Sequence, residues 1–130
     1  MKTPLLILLL LCVTSIYSQT QTITVRKETN PNLDNGKKLY RQNCAVCHSE
    51  TDAIYTGPHL IGVTKRLEMK WLISWVKCSE DLIKSGDKYA NEIYKQWGSG
   101  QPYFKYLSDQ EIKDIFVYVD TFVPRPKKNK

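Results

Sequence analysis

The sequence predicts an all-α fold of about four to five short helices, and three observations predict it. Apolar residues recur at helical spacing in separate stretches, capping residues stand before those stretches, and no stretch alternates apolar and polar residues as a half-buried strand does. Pro31 and Asn32 open the first helix, which runs to about Asn43, because proline fits a first turn where its missing N–H has no intrahelical partner. Glu50 to Thr64, with Gly57, Pro58 and Gly62 and no sustained period, reads as an irregular loop. From Lys65 to Lys77, the residues Leu67, Trp71, Leu72, Trp75 and Val76 fall on one helical face. Asp87 caps a further short helix, in which Ala90, Ile93, Tyr94 and Trp97 recur at helical spacing before Gly98-Ser99-Gly100 ends it. Ser108-Asp109-Gln110-Glu111 matches a capping box, so the last helix starts there, buries Ile112, Ile115, Phe116 and Val119, and stops at Pro124. Most aromatic rings on these helices are expected in the core.

The chain of 130 residues has the length of one domain, and its 42% apolar, 25% charged and 11% aromatic residues exclude disordered, collagen-like and multi-span membrane classes. Lys and Arg number 19 against 13 acids, a formal charge of +6, but the excess sits at the ends. Between residues 19 and 123 cations and acids nearly cancel, which argues against a nucleic-acid footprint. Residues 124–130 carry Arg125, Lys127, Lys128 and Lys130 and read as a basic disordered tail, the one segment suited to an anionic surface.

Lys2, the nine apolar residues from Leu5 to Val13, and the small and polar residues up to Ser18 have the layout of a secretory signal peptide. Nine apolar residues fall well short of the about 20 needed to span a bilayer. Residues 1–18 are therefore read as a cleaved leader that takes Cys12 with it, residues 19–31 as a flexible mature N-terminus, and the protein as exported, to a periplasm or its equivalent. Cys44, Cys47 and Cys78 remain, and Cys78 is expected as a buried free thiol.

Cys44-Ala45-Val46-Cys47-His48 fits C-x-x-C-H, the pattern of c-type haem attachment. Two thiols one helical turn apart can add to the two vinyl groups on one haem edge, and the next residue then carries an imidazole beneath the iron. Two rival chemistries fit less well. A zinc site assembled from Cys44, Cys47, His59 and Cys78 lacks the tight second pair of known zinc modules, and a thioredoxin-like pair needs a βαβ pattern that is absent.

With these residues in place, the stretch from Asn32 to Phe122 resembles the class I c-type cytochromes, and residues 32–123 are read as one such domain wrapped around a single covalently bound haem c. Gly36 and Tyr40 lie one turn apart like the family's small-then-aromatic pair, and Ile115 and Tyr118 resemble its partners on the last helix, where the two helices cross closely. Gly57-Pro58 looks like the segment whose proline carbonyl accepts the proximal imidazole proton, which would fix His48. Where the family normally has a Met-Pro pair, supplying the sixth iron ligand, this chain has Gln101-Pro102. Gln101 ranks first as ligand or distal polar group, ahead of His59 and then Met69, the one methionine of the mature chain; an open or water-filled position is the remaining alternative.

The resemblance implies an electron carrier: a monomer meeting redox proteins in transient encounters, with no separate catalytic apparatus. The rival is a haem protein binding O2, NO, CO or peroxide at a weakly closed sixth position, with weak peroxidase-like activity, and a third class is a docking subunit of a larger reductase or oxidase. A hard amide oxygen or water favours ferric iron over ferrous, so the potential is expected below that of His/Met relatives. Lys65 and Arg66 are candidates to neutralise a haem propionate and Trp71 or Trp97 to hydrogen-bond one, but the plainer reading, solvated cations and core indoles, is favoured for each.

Overall fold

A computed structural model describes residues 30–98 and 102–127. The described residues form four α-helices, α1 (Leu33–Asn43), α2 (Met69–Lys84), α3 (Lys88–Trp97) and α4 (Asp109–Val119), with a 3-10 turn at Val63–Lys65 and no named strand. The expected leader at 1–18, the mature N-terminus up to residue 29, Gln101 and residues 128–130 lie outside them.

The helix α1 starts at Leu33, two residues later than the expected opening at Pro31. Asn32 is its N-cap, its side chain accepting from Asn35 N at 3.1 Å, so Pro31 precedes the helix instead of entering it. The helix ends where Cys44 N–H reaches Tyr40 O at 2.7 Å. The α2 helix departs more. It begins at Met69 because Gly62, at φ 68, starts a 3-10 turn that uses up Val63 to Lys65, and it runs on to Lys84 across a break at Cys78 (φ −161, ψ 87). The carbonyl of Val76, at the edge of that break, accepts Phe104 N–H at 3.3 Å and ties the segment before α4 to α2. Cys78 is buried and unpaired.

Asp87 caps α3, one carboxylate oxygen accepting Ala90 N at 2.8 Å. Tyr94 is exposed, against the expectation of a buried stripe, because α3 packs mainly on α2 and buries only Ala90 fully. Ser108 and Glu111 close the expected capping box on α4, whose buried face holds Ile112, Ile115, Phe116 and Val119. The aromatic rings divide: Tyr40, Phe116 and Tyr118 are core, whereas Tyr89 and Tyr94 reach solvent.

The helices α1 and α4 cross at Gly36. A Cβ there would lie 1.9 Å from the carbonyl oxygen of Asp114, so only glycine permits this approach. One turn on, fully buried Tyr40 meets Tyr118 and Phe122 edge-on at 5.6 and 5.0 Å between ring centres. Asp114 is buried at the same crossing and its carboxylate accepts from Asn32 N at 2.9 Å, Asn35 Nδ2 at 2.6 Å and Gln110 Nε2 at 2.9 Å. Burial by itself would raise its pKa, but these three donors outweigh it and hold the carboxyl below the usual range.

Two outcomes follow from the crossing. Gly36→Ala forces the helices apart and should destabilise the protein by about 1–3 kcal/mol or more in urea unfolding. Since the folded pKa of Asp114 lies below its unfolded value, its carboxylate stabilises fully above the unfolded range, and that contribution disappears as pH falls through the depressed folded value. Stability measured against pH should therefore fall less steeply on the acid side in Asp114→Asn than in the wild type.

Candidate functional site

The end of α1 delivers Cys44, Cys47 and His48 to one side of a cleft of about 330 Å³. The loop after them contributes Gly57, Pro58 and His59, α2 contributes Trp71, Leu72, Trp75 and Val76, and α4 closes the floor with Ile115 and Phe116. Its lining is mostly apolar, as a site for a large flat hydrophobic group requires.

His48 is held from three directions. Its N–H donates to Cys44 O at 2.9 Å, and its carbonyl accepts the Tyr40 hydroxyl at 2.7 Å. Its Nδ1 lies 2.7 Å from Pro58 O, a bond that a carbonyl can make only with a protonated nitrogen. The proton is thereby fixed on Nδ1, leaving the Nε2 lone pair as the ring's donor to a metal. Burial pushes the imidazole pKa down, against a smaller upward pull from the Pro58 carbonyl, so the ring is kept in the neutral form that binds metals. Gly57 lets the loop lie flat on this ring: a Cβ there would stand 2.7 Å from His48 Cε1 and 3.0 Å from Nδ1.

The cysteines are free thiols, and burial, with a smaller contribution from Cys47, pushes the Cys44 thiol up to about 12. Among the described residues no three His, Cys, Asp or Glu side chains converge to hold a metal ion, so the alternative zinc set of Cys44, Cys47, His59 and Cys78 is not assembled. Two neighbouring thiols, an imidazole with its donor nitrogen fixed, and an apolar cleft between them fit a covalently attached haem.

The other sequence-derived residues fall in different places. Pro58 lines the cleft and bonds His48 as the resemblance implies. Pro102 lines it too, while Gln101 lies outside the described residues. His59 lines the cleft directly after Pro58, and its buried Nδ1 has no hydrogen-bond partner among the described residues. Met69 opens α2 and packs, partly buried, against the core cluster instead of lining the cleft. Arg66 and Trp97 line the cleft and Lys65 does not. Trp71 lines it as well, stacked on Trp75 at 5.3 Å, but its indole N–H donates to Asp87 Oδ2 at 3.1 Å and is not left for a propionate.

Sequence reasoning missed the Tyr40 hydroxyl, the flat contact of Gly57 and the Trp71–Asp87 bond. Tyr40 stands four residues before Cys44, one helical turn, and that spacing was the available signal for the first. The other two depend on how the loop folds back and on the angle between α2 and α3, which no local pattern carries.

The profile of the Cytochrome c family matches residues 33–122. A thiosulfate dehydrogenase of Psychrobacter arcticus is 34% identical over 113 residues, covering 82% of this chain and 30% of that protein, so the chain spans under a third of this relative's length. A cytochrome c6 of Cyanidium caldarium is 31% identical over 88 residues, 68% of this chain and 69% of that protein. Among solved structures, a cytochrome c from Rhodothermus marinus matches 67% of this chain and 72% of its own, at a TM-score of 0.58 and 21% identity, which shows the fold. The cytochrome c domain of the pp3183 protein from Pseudomonas putida matches 65% of this chain and 84% of its own, at a TM-score of 0.54 and 26% identity. Together with the cleft and its donors, these matches establish that the chain belongs to the cytochrome c family, whose haem c it binds covalently.

Proposed function

We propose that the protein is an exported carrier of single electrons, with its haem attached through Cys44 and Cys47, its iron bound by His48, and Gln101 standing at the sixth position. The observation that carries this reading is the meeting of Cys44, Cys47, His48 and Pro58 at one apolar cleft, with His48 Nδ1 2.7 Å from Pro58 O. The haem, when bound, supplies the one-electron chemistry as its iron moves between the ferric and ferrous states. The chain's work is to hold that group still. Tyr40 holds the main-chain carbonyl of His48 and Pro58 holds its imidazole, Cys44 and Cys47 would anchor one edge of the group, and the apolar walls from α2 and α4 would surround it, so that little would reorganise when the charge changes. The apolar run after Lys2 supports export, and redox proteins in transient encounters are the fitting partners.

A second reading draws on the thiosulfate dehydrogenase relative: a haem domain that takes electrons from a sulfur oxyanion. Thiosulfate added to the ferric protein separates the two, because the carrier reading expects no reduction of the haem and the dehydrogenase reading expects reduction that saturates with thiosulfate.

Three outcomes test the site. Adding carbon monoxide to the reduced protein should leave the visible spectrum unchanged if Gln101 closes the sixth position, and a rapid shift favours the ligand-binding alternative. An equilibrium redox titration should show Gln101→Met raising the potential, as a thioether favours ferrous iron more than an amide oxygen or water does. Gly57→Ala should push the His48 ring off Pro58 O and change the spectrum of the bound haem, because the added Cβ meets the ring at 2.7 Å.

A further inference from the structure

A line of three aromatic rings runs from the cleft to solvent. Trp71 and Trp75 stand one helical turn apart on α2, and their rings stack 5.3 Å apart at 10° to one another. Tyr89, in the first turn of α3, meets Trp71 edge-on at 5.4 Å between ring centres. All three line the cleft, and Tyr89 carries the line outward, because 36% of its surface is exposed.

Packing alone does not account for this arrangement. Trp71 packs against the buried core cluster, whereas Trp75, equally half-buried, is not part of it and faces the cleft. Trp71 is also held by a charge that packing does not require. Its indole N–H donates to Asp87 Oδ2 at 3.1 Å, while Asp87 Oδ1 accepts Ala90 N at 2.8 Å as the cap of α3, so the carboxylate is fixed through both oxygens. A carboxylate fixed on an indole N–H eases removal of an electron from that ring, since it attracts the positive charge and accepts the proton that the nitrogen then gives up. Trp71, in the middle of the line, is therefore the more easily oxidised of the two indoles.

We propose that Tyr89, Trp71 and Trp75 form an electron relay from the ferrous haem to strongly oxidising radicals that meet the protein at α3. The relay rests on the electron-carrier reading and adds a route apart from the edge held by the cysteines. A one-electron oxidant of the nitrogen dioxide or azide radical class takes an electron from Tyr89 and leaves as its anion, and the phenol releases its proton to water. One electron then moves from Trp71 to Tyr89, which recovers a proton, one from Trp75 to Trp71, and one from the ferrous iron to Trp75. In sum one radical becomes an anion and one ferrous iron becomes ferric, with all three rings restored and no net proton moved. Ordinary redox partners are too weak as oxidants to take an electron from a phenol or an indole, so the relay stays idle in their exchanges.

The test is pulse radiolysis of the reduced, haem-loaded protein with azide radicals, which oxidise tryptophan and tyrosine rings, followed through the absorbance of the ring radicals and of the haem. The relay predicts that ring radicals decay as the haem turns from ferrous to ferric, at a rate independent of protein concentration. Tyr89→Phe keeps a ring beside Trp71 without the phenol and should cut this phase several-fold in amplitude. Tyr94→Phe, on the same helix and 45% exposed but outside the line, should leave it unchanged. Asp87→Asn keeps a capping oxygen and loses the charge, and should slow the phase several-fold under conditions where the variant is folded. Oxidation of the reduced haem by ferricyanide, which is too weak to oxidise the rings, should keep its wild-type rate in all three variants.

A phase whose rate scales with protein concentration, or one that survives Tyr89→Phe, overturns the relay. So does an Asp87→Asn protein of lower stability but unchanged rate, which leaves Asp87 a cap and nothing more, and so does a ferricyanide rate that falls together with the azide-driven phase. Failure of ferricyanide to oxidise the reduced wild type contradicts the carrier reading itself and is distinct from all of these.

Discussion

The close approach of α1 and α4 at Gly36 is the constraint on which the rest of the molecule depends. With no side chain between them the helices lock, and Tyr40 is carried into the core one turn further on. That ring has two roles. Its faces and edges pack against Tyr118 and Phe122, while its hydroxyl reaches the carbonyl of His48, so a core residue directly positions the site. The same turn of helix ends at Cys44. The thiols and the imidazole are thus placed by the packing of two helices far apart in sequence, and their positions do not depend on the loop alone.

The rest of the chain completes a cleft around that fixed point. Gly57 and Pro58 lie against the imidazole, and α2 adds an apolar wall of Leu72, Val76 and the stacked Trp71 and Trp75. The segment before α4 is tied down through several contacts. Phe104 N–H reaches Val76 O beside the break in α2, Tyr103 bonds Glu80, Tyr106 bonds Asn43 next to Cys44, and Lys77 pairs with Asp109 at the start of α4. The segment following Gln101 is therefore braced from both α2 and α1. Such bracing suits a cofactor whose surroundings must change little between oxidation states.

The parts of this account legible in the sequence were those with a local signal. C-x-x-C-H is contiguous, the Ser108–Glu111 capping box spans one turn, and Gly36 and Tyr40 sit at helical spacing on a face that needs a partner. What escaped depends on tertiary geometry. The stretch Lys65–Lys77 has a good helical period, yet the turn begun by Gly62 delays α2 to Met69, and the break at Cys78 leaves the helix free to continue to Lys84. Trp71 has the same indole whether it faces a cofactor or Asp87, and only the packing of α3 decides between them. Asp114, between Ile112 and Ile115 in an apolar stripe, was the residue out of pattern, and the structure supplies the reason in the donors of Asn32, Asn35 and Gln110.

The central claim is that this crossing presents Cys44 and Cys47 to one haem and holds His48 beneath it. The most direct measurement is mass spectrometry of the haem-loaded protein after denaturation and trypsin digestion, following the peptide from Gln42 to Lys65, which holds both cysteines, His48 and Pro58. The account predicts that this peptide retains one haem through two thioether bonds, with neither thiol open to alkylation. A haem lost on denaturation, or a peptide with both thiols free to react, would contradict it.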